Sequence, residues 1–192
     1  MAALWRFHDA ALEKAALILA IARSEMADLP RYSDLKFRQT ITLYDLLHEF
    51  SYNVRKALER AETLTPGIIA KARSTPVHRG RTEFRREFWD PDETIALVQK
   101  PFWWVVNRII HSTETVVVDY IARFEFDETS PSGRHWSVEQ PEVFGFRSDL
   151  DEEEGLHHVH TESFVMTYVH MLSRDVEAAI DAHFGPSPKP AG

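Results

Sequence analysis

The sequence predicts a mainly α fold with a small β element: a bundle of about four helices carrying an inserted β-hairpin. Three observations predict it. Apolar residues recur every three or four positions through the first third of the chain and again near its end. The period changes to two after His111, in "TVVVDYIARFEF". Between them lies the most apolar stretch, "PFWWVVNRII", which reads as a core helix.

Each element follows from local chemistry. A first helix is expected from about Asp9 to Met26, rich in Ala and Leu and stopped by Pro30. Ser33 or Asp34 caps a second, long helix reaching about Thr63, in which Leu43, Leu47, Phe50, Val54 and Leu58 form one continuous stripe. Pro66-Gly67 ends it, and "IIAKARSTPVHRGRTEFRREFW" reads as a short helix followed by loop. In "DPDET", Asp90 is a good N-cap, Pro91 suits the first helical position and Glu93 completes a capping box. The helix it opens is expected to kink or break near Pro101. Beyond it, Phe102 to Ile110 is apolar almost all round and is expected to be deeply enclosed.

In the β element, Val116, Val118, Tyr120, Ala122, Phe124 and Phe126 share one face of a strand. "DETSPSG" is a loop, and "RHWSVEQPEVFGF" returns as one or two strands, leaning on the helices because a lone hairpin is marginal in water. A last helix runs from about Thr161 to Phe184, with Val165, Leu172, Val176 and Ile180 inward and Gly185-Pro186 closing it. The expected organisation is one helical domain over residues 1–185, a hairpin insertion at about 115–147, and a disordered tail, "PSPKPAG", at 186–192.

The bulk composition narrows the function classes. At 192 residues the chain fits a single domain, and its formal charge of −8 draws neither nucleic acid nor anionic membrane to the protein as a whole. With no cysteine there is no disulfide framework, thiolate zinc site or cysteine nucleophile. The N-terminal "AALILAIA" is too short for a membrane span and is flanked by Asp9, Glu13, Lys14, Arg23 and Glu25, so an amphipathic helix and a cytoplasmic location are expected. No glycine-rich phosphate loop, nucleophile elbow or helical zinc-protease motif is present. No cofactor is expected.

Three constellations carry chemistry. Asn107, Arg108 and His111 sit within the apolar run, with Asn107 and His111 four apart and so neighbours on a helix. There an imidazole can act as general base beside groups that hold an oxyanion, or the same residues can cap the helix end. Residues 71–86 hold Lys71, Arg73, Arg79, Arg81, Arg85 and Arg86 against Glu83 alone, a local +5 in an acidic chain. That is either a phosphate footprint for RNA or a nucleotide, with Phe84, Phe88 and Trp89 as stacking groups, or a solvated face paired with "DLDEEE" at 149–154. Finally, in "GLHHVHTE", His157 and His160 could share a face of a helix turn with Glu162 near, as ligands to a divalent metal, or be surface residues.

The "NRIIHS" at the end of a buried helix, together with Arg73 and His78 separated by four residues, resembles the HEPN superfamily of small helical-bundle proteins. The resemblance covers the helices, not the hairpin. It implies a defence or toxin component with metal-independent ribonuclease chemistry: a homodimer in which His111 or His78 takes the 2′-hydroxyl proton and Arg108 or Arg73 holds the phosphate. Against this stands a non-catalytic helical interaction protein. A metal-binding protein built on His157 and His160 is the third reading.

Overall fold

The computed structural model describes residues 2–22, 33–82, 98–118, 121–125, 135–139, 143–150 and 156–185. Over these the chain is mainly α with a smaller β element. Helix α1 spans Ala2–Ala22 and α2 spans Ser33–Leu64. Phe7 meets Tyr52 edge-on and Lys14 reaches Glu49 at 2.8 Å, so the two helices run in opposite senses. The predicted stripe of α2 is the floor of the core, with Leu43, Leu47, Phe50, Val54 and Leu58 all buried. Each such side chain contributes roughly 1.5–3 kcal/mol by leaving water.

Helix α3, Ile68–Ser74, starts after Gly67, whose φ of 107° is the left-handed turn that Pro66-Gly67 promised. Its free N–H groups are taken by the Glu62 carboxylate, which accepts from Ile69 at 2.8 Å and from Gly67 at 3.1 Å. These backbone bonds hold the Glu62 carboxyl below the usual carboxylate range.

The expected loop after α3 is instead a strand, β1, Pro76–Thr82, antiparallel to β2, Val98–Pro101. Pro76 is tolerated because it is the strand's first residue. The Asp90 cap lies outside the described residues. A helix does not approach Pro101, since 98–101 is extended and Pro101, with φ −57° and ψ 138°, is the corner from β2 into α4, Phe102–Ile110.

The sheet is wider than a hairpin. Strands β3 (Ser112–Val118), β6 (Val143–Ser148) and β7 (Leu156–His160) join the first pair in the order β2-β1-β7-β6-β3, every neighbour antiparallel. The period-two run does not fold straight back on itself. Strand β3 pairs with β6, whereas β4 (Ile121–Glu125) and β5 (His135–Glu139) form a separate two-stranded ladder. The alternation of that run is therefore divided between two ladders, while Tyr120 and Phe126 lie outside the described residues.

The final helix begins at the predicted residue and is continuous in three parts: α5 (Thr161–Thr167), a π-helical turn (Tyr168–Leu172) and α6 (Ser173–Phe184). Val165, Leu172, Val176 and Ile180 are all buried, as their spacing predicts. The aromatic centre of the core gathers four elements, with Phe50, Phe102 and Phe164 around Tyr168. No helix among the described residues is long and apolar enough to cross a membrane.

Candidate functional site

Helix α4 buries one side only. Phe102, Val105, Val106 and Ile109 face the core, while Trp104, Asn107 and Arg108 are partly exposed and His111 is exposed. At 100° per residue, positions 104, 107, 108 and 111 fall on one arc of the helix surface. The expectation of an enclosed, all-apolar rod is thus corrected: the polar trio lies on the outward arc, and an amphipathic helix of nine residues needs no polar group inside the core.

Two members of the trio are engaged in the helix end. The Asn107 amide donates to Trp103 O at 2.7 Å, one turn back. His111 is the C-cap residue, and its backbone N–H donates to Asn107 O at 3.2 Å. Its carbonyl accepts from Asp149 N–H at 3.2 Å and from the Ser148 hydroxyl at 3.3 Å, which ties the end of β6 to the end of α4. So the junction is held by the backbone of His111, and its imidazole is left at the surface.

Arg108 belongs to a different arrangement. Its guanidinium carbon lies 4.9 Å from the centre of the Trp104 ring, and Lys100 Nζ, from β2, lies 5.5 Å from the same centre. His157, from β7, is buried and meets the Trp104 ring edge-on at 5.2 Å. Three groups from three elements therefore converge on one indole, each cation contributing about 0.5–1 kcal/mol where water still reaches it.

The basic strip is divided by the fold. Lys71 and Arg73 are on α3, where Lys71 Nζ reaches Asp175 at 2.6 Å and Arg73 contributes to holding the Glu62 carboxyl down. His78, Arg79 and Arg81 are on β1, so Arg73 and His78 do not share a helix. Arg81 stands opposite His157 in the β1–β7 ladder and Arg79 opposite Val159. Arg85, Arg86, Phe84, Phe88 and Trp89 lie outside the described residues.

The metal expectation fails on geometry. "LHHVH" is a strand, and positions three apart on a strand take opposite faces, so His157 and His160 do not share one. His157 packs instead between Trp104 and Phe146. Among the described residues no group of three or more His, Asp or Glu is placed to hold a metal ion.

Two further histidines carry specific bonds: His48, which has no recognisable ligand spacing in the sequence, and His8, which the sequence reading passed over. His48, on α2, meets the Ser112 hydroxyl at 2.8 Å; that hydroxyl gives its proton to Ile109 O at 2.8 Å, so His48 Nε2–H is the donor. Burial lowers the His48 pKa below the usual imidazole value, against the opposing pull of Asp45. His8 is buried within α1 and links Tyr168 Oη at 2.8 Å to Glu177 Oε1 at 3.3 Å. The tautomer that satisfies both has Tyr168 O–H donating to Nδ1 and Nε2–H donating to the carboxylate. Burial, reinforced by the Glu177 charge, raises the Tyr168 pKa far above its usual value, which keeps that proton in place. The signal was present: Leu4, His8, Ala11, Ala15, Ile18 and Ala22 follow spacings of 4, 3, 4, 3 and 4, a stripe in which His8 occupies a core position.

No family model matches the chain, and neither a curated protein nor a solved structure matches it.

Proposed function

We propose that this chain is a non-catalytic helical interaction protein. The observation that carries the reading is the use made of the polar trio. The Asn107 amide and the His111 backbone serve the junction of α4 with the sheet, and Arg108 stacks on Trp104. A general base needs to stand within reach of the proton it takes, beside a group that stabilises the charge developed. The bond to Trp103 O takes one of the two N–H donors of Asn107 and fixes the amide against its own helix.

A second reading, the metal-independent ribonuclease implied by the HEPN-like resemblance, is favoured by one observation: Arg108 and His111 are one turn apart on the open arc. The homodimer of that resemblance belongs with it. Incubating the protein with mixed RNA in EDTA, beside His78→Ala, His111→Ala and Arg108→Ala variants, separates the two. Intact RNA with every protein supports the non-catalytic reading. RNA cut by wild type and spared by His111→Ala overturns it.

A further inference from the structure

We infer that the outer face of α2 is an interface with a second copy of this chain, the two α2 helices lying antiparallel about a two-fold axis at Tyr52. This rests on the non-catalytic reading above and names its partner. It uses α2 and the flank of α1, and neither Arg108 nor His111 takes part.

The charge order along α2 carries the argument. At 100° per residue, positions 41, 45, 49, 52, 56, 60 and 63 fall within about 100° of arc, on the side away from Leu43, Phe50 and Val54. On this arc Asp45, Glu49 and Arg60 are exposed, and so are Ile41 at 43% and Tyr52 at 48%. In a pair of identical helices related by a two-fold axis, each position meets the one equally far beyond the axis. Asp45 and Arg60 are equidistant from the point between Tyr52 and Asn53, and so are Glu49 and Lys56. Both acids of the first half of the arc therefore face bases of the second half in the other copy, which fixes the antiparallel register. Glu49 already meets Lys14 at 2.8 Å and Lys56 meets Glu59 at 2.9 Å, so the pairing between copies falls first on Asp45 and Arg60.

Packing supplies a second argument. Tyr52, at the axis, meets Phe7 edge-on with ring centres 6.3 Å apart, and Lys56 Nζ lies 5.9 Å from its own ring centre. A tyrosine held in this way loses little freedom on binding, and interface energy concentrates on such residues near the centre. Beside it a recess of about 390 Å³ opens on the same face, lined by Phe7, Tyr52, Lys56, Glu59, Arg60 and Thr63. The two-fold brings the partner's Ile41 to the Thr63–Leu64 turn at the mouth of this recess. An exposed apolar side chain of each copy thus meets a hollow of the other. On α1, exposed Leu17 stands one turn beyond Lys14, on the flank that faces α2, and widens the apolar surface. At 1.5 Å per residue the arc is about 35 Å long, and the two helices side by side are about 20 Å wide. That is roughly 700 Å² per copy, near the roughly 800 Å² per partner of a stable complex.

The test measures the mass of the full chain in solution by sedimentation equilibrium, from about 1 to about 100 μM. Wild type is expected to approach twice the 22.2 kDa of one chain. Asp45→Arg and Arg60→Asp each set like charges against one another on both sides of the axis, and each is expected to raise the dissociation constant at least about tenfold. The double variant restores both pairs, as does an equimolar mixture of the two single variants, and both are expected to return to within about threefold of wild type. Tyr52→Ser, exposed and outside the core, is expected to weaken association about tenfold, and Asp181→Arg, on α6, to leave it unchanged. Circular dichroism verifies that each variant is folded. A chain that stays monomeric at about 100 μM overturns the inference and leaves the non-catalytic reading standing. So does a dimer that neither single reversal weakens, or one that the double variant fails to restore. Cut RNA in the assay above overturns the reading beneath it instead.

Discussion

Two polar clusters in this molecule use the same residue types to opposite ends. The chain of Glu177, His8 and Tyr168 is enclosed: His8 is 1% exposed and Tyr168 packs on Phe50 and Phe102, with only Glu177 reaching water at 46% exposure. The group around Trp104 is open, with Lys100, Arg108 and the indole itself all partly exposed. In the first, every donor has one acceptor and geometry is fixed by the partner across 160 residues of sequence. In the second, two cations and a buried histidine gather on one partly exposed indole. Enclosure makes a polar group a matter of stability, and exposure makes it available to a ligand.

The comparison breaks first, and most, at His8. His8→Ala removes the acceptor of a buried phenol, and the orphaned hydroxyl together with the lost packing is expected to cost about 3 kcal/mol, read from the urea midpoint. Tyr168→Phe leaves only the His8 nitrogen unsatisfied and should cost about 1–2 kcal/mol. Because one bond joins them, His8→Ala with Tyr168→Phe should cost less than the two single losses added, which a double-mutant cycle measures. Additive losses would mean that the bond contributes nothing.

A smaller effect concerns His48. Its folded pKa lies below the usual value, so the unfolded chain binds the proton more tightly, and stability present above the ordinary imidazole range is lost as pH falls through it. His48→Gln keeps a donor for Ser112 and should flatten the stability profile between about pH 7 and pH 5. An unchanged slope would assign that dependence to another group. At lower pH, two depressed carboxyls act with the same sign. Burial opposes ionisation of Glu59, but hydrogen bonds from Arg55 and Lys56 prevail, and backbone N–H groups hold Glu62 down. Their contribution is present above the usual carboxylate range and is lost as pH falls below it, and Glu62→Gln should remove part of that loss. The smallest effect belongs to His111. As an exposed cap residue whose backbone makes the bonds, His111→Ala should shift stability by no more than about 0.5 kcal/mol in a thermal melt.

Much of the helical frame was legible because its signals are local. The stripe of α2, the stop at Pro66-Gly67 and the inner face of the last helix needed only spacing and two turn residues. The sheet was not legible, because its pairing is not local: β1 meets β7 across more than seventy residues, and neither has a clean alternation. Gly80 and Pro76 weaken the pattern of one, and three histidines hide that of the other. The π turn at Tyr168 left no mark in the spacing of Val165, Leu172 and Val176. At the candidate site, Asn107, Arg108 and His111 were found, but their setting was misjudged because Phe102 to Ile110 was read as apolar almost all round and so deeply enclosed. Lys100 went unremarked, since its place beside Trp104 arises only when β2 flanks α4.

The most direct measurement is the rate at which diethyl pyrocarbonate modifies each histidine of the native chain, read by mass spectrometry. The account predicts that the exposed His111 is modified rapidly and that the enclosed His8 is spared until the chain unfolds. Modification of His8 as fast as that of His111 in the folded chain would contradict it.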